Sequence, residues 1–168
     1  MKSLLNVRVC QVNYANTSHA TALVTLLDAY AKDPMGGGSG LSDFARTHLV
    51  ASLAERPQCF SVLAYVSADD ARPVGLVNCV EGFSSFACRP LVNVHDVVVL
   101  PDYRGQRIAE KMLLLVDELA RLRGACKLTL EVLSGNVGAA KLYRRIGFSN
   151  YQLDPSMGEA QFLQKWLS

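Results

Sequence analysis

No stretch of this 168-residue chain is apolar for long enough to cross a bilayer, which takes about 20 consecutive apolar residues. The opening MKSLLNVRV lacks the longer apolar core of a signal peptide, so a cytoplasmic protein without a membrane partner is expected. No Cys-x-x-Cys occurs. The five cysteines, Cys10, Cys59, Cys79, Cys88 and Cys126, are odd in number and widely spaced, which indicates neither a disulfide framework nor a zinc site. They read as reduced, mostly buried small hydrophobes, and no metal is expected. Charge of either sign is in short supply: the net value is +2, and no run of Lys and Arg is interleaved with aromatics, so nucleic acid is not an expected partner. No internal repeat is present. The single low-complexity patch, Met35-Gly36-Gly37-Gly38-Ser39-Gly40, follows a helical pattern, whereas a phosphate cradle normally follows a strand. It reads as a loop between helices.

Half of the residues are hydrophobic, enough for the core of one domain, residues 1–168, without covalent staples. Alternation over residues 3–14 predicts a first strand. Thr17 or Ser18 caps a helix that runs to Lys32 and stops before Pro34. Ser42 caps a second helix over 43–55, with Ala45, Leu49 and Leu53 inward. Residues 59–66 and 74–82 are apolar and β-rich, and the polar turn 67–73 joins them as a hairpin. The segment 83–90 has no period and should link that hairpin to a strand at 92–100, at the rim of any site there. After a long helix come a strand at 127–133, a short helix at 136–146 closed by Gly147, and a last antiparallel pair, 148–153 and 161–167, around a turn at 154–158.

The stretch VNVHDVVVLPDYRGQRIA, beginning at Val92, is the place to look for chemistry. Its β-branched run ends at Pro101, which has no N–H to donate, and a turn opens directly into a helix. Ile108, Met112, Leu115, Leu119 and Leu122 mark one apolar stripe on that helix, which ends near Gly124. A helix start presents unpaired N–H groups and the positive end of the macrodipole, and Arg104 and Arg107 add charge to it. The junction is suited to binding an anion.

Two motifs then carry a family resemblance. Arg104, Gly105, Gln106, Arg107, Ile108 and Ala109 follow the pyrophosphate-loop pattern of Gln/Arg, two residues, Gly, one residue, Gly/Ala, except that Arg107 replaces the central glycine. Asn136, Ala139, Leu142, Tyr143, Gly147 and Phe148 meet in full a second pattern, Asn, two residues, Ala, two residues, Leu-Tyr, three residues, Gly-Phe. In both respects the chain resembles the GNAT (GCN5-related) N-acetyltransferases, clearly so over residues 93–151. The resemblance implies an α/β fold: a mixed, mainly antiparallel central sheet flanked by helices, whose parallel fourth and fifth strands splay apart to admit a pantetheine arm. It implies acetyl-CoA as co-substrate, a small-molecule amine as acceptor, and direct attack in a ternary complex; a homodimer is compatible with it. The backbone of Gly105 to Ala109 would take the pyrophosphate, Val97, Val98 and Val99 would offer backbone to the arm and the carbonyl, and Asn136 and Ala139 would meet the arm.

Acetyl transfer also needs a proton for the departing thiolate and a place for the amine's proton. Tyr143 stands at the family's general-acid position, and a phenol of pKa about 10 suits a thiolate of about 8.5. His95 stands where many relatives carry a strand glutamate, and histidine changes charge in the useful range. As a base it competes with a purely structural His–Asp pair. Asp96, Glu81 and Glu131 are further candidates at the acceptor, and Arg89 is either a clamp for a substrate carboxylate or a solvated arginine. Two other readings stay open: a catalytically silent acyl-CoA-binding domain, suggested by Arg107 and the missing strand glutamate, and an enzyme whose acceptor is a protein N-terminus or lysine.

Overall fold

The longest apolar runs of the chain become strands buried on both faces, which is why they lack alternation. In the computed structural model, residues 6–66 and 72–167 are described, and they divide into two compact units at Leu130/Glu131. The first unit is a five-stranded sheet in chain order: β1 (Val7–Gln11), β2 (Cys59–Val66), β3 (Arg72–Ser84), β4 (Arg89–Val99) and β5 (Leu128–Leu130). All neighbours are antiparallel except β4 and β5, which run parallel. Helices α1 (Thr17–Lys32) and α2 (Asp43–Ala54) connect β1 to β2, and α3 (Ile108–Leu122) connects β4 to β5. The second unit holds α4 (Val137–Arg145) and a single 3-10 turn, Pro155–Met157. No helix among the described residues is long and apolar enough to cross a membrane.

One sheet face packs on α1. There Leu23 and Leu26 meet Leu63, Leu76 and Val98, with Leu49 and Leu53 of α2 at the margin. The other face packs on α3, and Gly75 permits the close approach: a Cβ on it would come within 2.8 Å of the Met112 side chain. The buried stripe of α3 is Ile108, Met112, Leu113, Val116 and Ala120, rotated from the expected one. Leu122 ends up largely exposed. The helix carries apolar residues at enough positions for two overlapping i, i+3, i+4 stripes, and packing selects between them.

Other expectations are revised at element ends. The cap of α1 is Asn16, whose side chain accepts from Ser18 and His19 N–H, rather than Thr17 or Ser18. The segment 83–90 is not an irregular link. β3 and β4 continue pairing through Gly82↔Leu91, Phe83↔Pro90 and Ser84↔Arg89 to a tight turn in which Cys88 takes positive φ. With Phe83 and Phe86 exposed there, that ladder's tip shows no hydrophobic period to read. β5 is three residues long, shorter than residues 127–133. The last antiparallel pair is absent: among the described residues no strand follows Leu130, and Tyr151, Leu153, Phe162 and Trp166 are exposed. The start of the first expected strand (residues 3–5) and most of the 67–73 turn lie outside the described residues.

Candidate active site

The β3–β4 ladder is regular until Cys79↔Val94 and resumes at Asn78↔Asp96, so His95 is an extra residue, a bulge without a cross-strand partner. Its side chain is exposed. On the opposite edge β4 pairs with β5 only through Val92↔Leu128, Asn93↔Thr129 and Val94↔Leu130. Beyond the bulge, from Asp96 to Val99, no strand among the described residues pairs with that edge of β4, and a side chain, that of Arg104, takes up the Val99 carbonyl. Bulge and loss of partner coincide at His95.

β4 then passes through a 3-10 turn, Pro101–Tyr103, into the start of α3. The loop holds its shape by two means. Arg104 donates from Nε to the Val99 carbonyl at 3.0 Å and forms a 2.8 Å ion pair with Asp33 at the end of α1. That guanidinium, followed by the Met35 N–H, holds the Asp33 carboxyl below the usual carboxylate range. Arg107 adopts the left-handed conformation, φ 59° and ψ 22°, at the position where the motif has glycine. The backbone therefore follows the glycine path despite the substitution, at a cost of about 1–2 kcal/mol. Arg104 thus ties loop to helix end, whereas the Arg107 side chain is exposed and forms no ion pair among the described residues.

The helix start that results differs from those around it. Asn16, Ser42 and Asn136 each cap their helices through a side-chain oxygen, but at α3 no side chain caps the first turn. Its N–H groups and the positive dipole end face outward beside Gly105, where an added Cβ would meet nothing within 4 Å.

In the second unit, Asn136 Oδ1 accepts from the Ala139 N–H at 3.2 Å and sets the register of α4. Tyr143 lies about two turns further along and is buried. Its ring meets the edge of Phe148 at 5.9 Å, and the Phe148 N–H donates to the Tyr143 carbonyl. The second motif is therefore a packing unit as well as a chemical one: the helix turns back after Gly147, at φ 104°, so that Phe148 braces the tyrosine.

The remaining candidates separate. Glu81 is on the α3 face, paired at 3.0 Å with Arg123, which also lies over the Phe60 ring; this is a structural pair remote from the α1 face. Arg89 donates from both Nε and an Nη to the Gly124 carbonyl, at the end of β4 away from the bulge, so it staples strand to helix end. Glu131 is exposed just past β5. Asp96 stays with the bulge and brings residues that local patterns did not single out: Asn78 donates to it, Ser61 donates to Asn78, and Tyr14 meets Ser61. Its charge also reaches Tyr30 of α1, whose phenol is pushed up by burial first and then by Asp96 and Asp33. The available signal was one serine and one asparagine inside otherwise apolar strands, CFSVLAYV and RPVGLVNCVEGFS.

The cysteines are less uniformly buried than expected: Cys79 is buried, Cys88 is exposed, and Cys10, Cys59 and Cys126 lie between. Burial pushes the Cys79 thiol up to about 12. Its neutral form therefore stabilises the fold below the ordinary thiol value, and that contribution declines as pH rises above about 9. Timed alkylation at pH 8 with mass mapping should modify Cys88 first and Cys79 last; early labelling of Cys79 in folded protein would contradict this placement.

Residues 23–148 match the acetyltransferase (GNAT) family model, a span that crosses both compact units. Over 106 residues the chain is 34% identical to the L-methionine sulfoximine/L-methionine sulfone acetyltransferase of Pseudomonas aeruginosa, covering 63% of this chain and 54% of that protein. An uncharacterized N-acetyltransferase of Methanocaldococcus jannaschii is 31% identical over 90 residues, 53% of this chain and 40% of that protein. The chain thus spans about half the length, or less, of the curated relatives it matches. Among solved structures, a probable acetyltransferase superposes with a TM-score of 0.79 at 23% identity, over 96% of this chain and 99% of that one. An aminoglycoside N-acetyltransferase in complex with CoA gives 0.74 at 16% identity, over 98% of each chain. These likenesses show the fold, and the sheet described above, antiparallel except for its parallel β4 and β5 and accompanied by α1, α2 and α3, agrees with it. On the family match, the two motifs and this architecture, the chain belongs to the GNAT acetyltransferase family.

Proposed function

We propose that the two units act together as one acetyl-CoA-dependent N-acetyltransferase domain, moving an acetyl group to a primary amine of a small molecule by direct attack within a ternary complex. The observation that carries this reading is the uncapped first turn of α3, reached directly from a β4 edge that has just lost its partner. The coenzyme is an extended anion with a pyrophosphate, and these two features fit its two parts. N–H groups from Gly105 to Ala109 hold the pyrophosphate, and the free edge at Val97, Val98 and Val99 pairs with the pantetheine arm and receives the thioester carbonyl. Asn136 and Ala139 contribute on the α4 side. Acetyl-CoA, when bound, supplies an acetyl group already activated as a thioester. Arg107 keeps the glycine conformation, which supports a working loop over a silent one.

The chain's own groups handle protons. A side-chain ammonium of pKa about 10.4 must lose a proton at a cost of about 4.6 kcal/mol at pH 7 before it can attack. His95, exposed on the bulge beside the free edge, takes that proton directly or through water. Tyr143 gives its hydroxyl proton to the departing sulfur. None of the five cysteines lies in a nucleophile motif, and the burial of Cys79 keeps its thiol protonated, in keeping with direct attack. Relatives named for methionine sulfoximine and streptothricin, and an aminoglycoside acetyltransferase solved with sisomicin, support a small-molecule acceptor.

A thiol-release assay with acetyl-CoA over polyamines, amino acids, aminoglycosides and peptides tests the reading. Turnover with a small amine is the expected result. Coenzyme binding by calorimetry without turnover on any acceptor would assign a silent acyl-CoA-binding domain, and turnover on peptides alone would assign a protein acceptor. Within the active enzyme, His95→Gln keeps similar bulk and should lower kcat/KM by about 10- to 100-fold. An unchanged value would remove His95 from proton transfer.

A further inference from the structure

At the level of the bulge, Ser61 of β2, Asn78 of β3 and Asp96 of β4 are direct cross-strand neighbours. They share the α1 face, since Leu63, Leu76 and Val98, two residues along each strand, all pack in the α1 core. The three side chains form a hydrogen-bonded row with Tyr14. Ser61 Oγ donates to Asn78 Oδ1 at 2.6 Å, and Asn78 Nδ2 donates to Asp96 Oδ2 at 3.0 Å. Because the serine proton is committed to Asn78, the 2.9 Å contact with Tyr14 has the phenol donating to Ser61. Burial holds the Tyr14 phenol protonated for that purpose. The row thus has one direction and ends on a carboxylate.

Ser61 and Asn78 are 1% and 7% exposed, so an unmade bond in this row would cost a full desolvation penalty. The row fixes which oxygen of Asp96 faces Asn78 and leaves Oδ1 without a donor among the described residues. Asp28, Asp33, Glu81 and Asp117 all have a cationic side chain beside them, but no described Lys or Arg pairs with Asp96. Its hydrogen-bond partner Asn78 is neutral, and so are the Tyr30 phenol and the Cys79 thiol that its charge helps push up. Asp96 is a half-buried negative charge, oriented by neutral donors, at the start of the unpaired edge where attack would occur.

We propose that Asp96 docks a second ammonium group of the acceptor, that Asn78 positions it with Ser61 and Tyr14 behind, and that the acceptor is therefore a diamine or polyamine. This rests on the acetyltransferase reading above. The docked group is not the reacting nitrogen, because a carboxylate against that nitrogen would favour the ammonium form, which cannot attack. Nor does Asp96 serve as the base: carboxylic acids and alkylammonium ions differ by roughly 6 pKa units in the wrong direction.

The test is the ratio of kcat/KM for 1,4-diaminobutane to that for butylamine, molecules alike in length that differ by one ammonium. The wild-type ratio is expected to be about 10 or more, a charge-assisted contact's worth, and carried mainly by KM. Asp96→Asn should bring it close to 1. Ser61→Ala removes only a hydroxyl, but it leaves Asn78 Oδ1 without its donor, so the amide is no longer held in one orientation behind Asp96; the ratio should fall severalfold. If Asp96→Asn does not fold, Ser61→Ala carries the test, because a merely structural serine would lower both rates and leave the ratio alone. A wild-type ratio near 1, or a ratio unmoved in the variants that fold, overturns the inference while leaving the acetyltransferase reading intact. Absence of turnover with every amine takes down both.

Discussion

Replacing Tyr143 by phenylalanine is expected to lower turnover by about 10- to 1,000-fold while leaving acetyl-CoA affinity nearly unchanged. The substitution removes one oxygen and keeps the ring, so its edge contact with Phe148 and the Asn136 cap that sets the helix register should survive. Loss of the hydroxyl's own bonding costs only about 1 kcal/mol of stability. On the proposed role, what changes is the fate of the sulfur. A thiolate of reference pKa about 8.5 can leave unprotonated, but a phenol of about 10 at hydrogen-bond distance lowers the barrier by sharing its proton as the C–S bond breaks. Steady-state kinetics at saturating coenzyme, with calorimetry for affinity, separate the two effects. A turnover equal to wild type would assign protonation to water, and a parallel loss of coenzyme affinity would make Tyr143 a binding residue.

Arg107→Glu is expected to weaken acetyl-CoA binding by about 10- to 100-fold, since it exchanges attraction for repulsion at an exposed site on the first turn of α3. The companion variant, Arg107→Gly, distinguishes charge from shape. Glycine adopts the observed φ of 59° without strain, which relieves about 1–2 kcal/mol, but it loses about 0.5–1 kcal/mol through unfolded-state entropy. Stability should therefore change little or rise slightly. If the guanidinium assists the phosphates, the glycine variant binds coenzyme several-fold more weakly and with a shallower dependence on salt. Equal affinity for wild type and both variants would show that the coenzyme does not lie at this helix start.

Which parts of this molecule could be read in advance depends on the range of the forces involved. The order of elements up to α4 was legible because periods of two and 3.6, prolines and caps are local: Ser42 heads α2 and Asn136 heads α4 as their side chains require. The hairpin tip around Phe86 was not, because residues exposed on both faces carry no period. The pairing expected for 148–153 and 161–167 rested on composition alone, and composition does not supply a partner strand. The two motifs could be placed by number, yet the behaviour of Arg107 depended on whether the loop would keep a glycine's conformation with arginine in it. It does, with Arg104 tied to Val99 and Asp33 on either side.

By itself the sequence determined the family, the strand–turn–helix junction at Val92 to Ala109, the cap and the tyrosine of α4, and the residues eligible for chemistry, since each follows from neighbours within one or two turns of chain. Only the tertiary structure decided which of those residues share a surface. The bulge at His95 shifts the register of every later residue on β4 by one, and with it the face to which Asp96 belongs. That shift lines Asp96 up with Asn78 and Ser61 while Glu81, three residues beyond Asn78, pairs with Arg123 under α3. Cross-strand register is a property of the paired strands together, and no single segment of the chain specifies it.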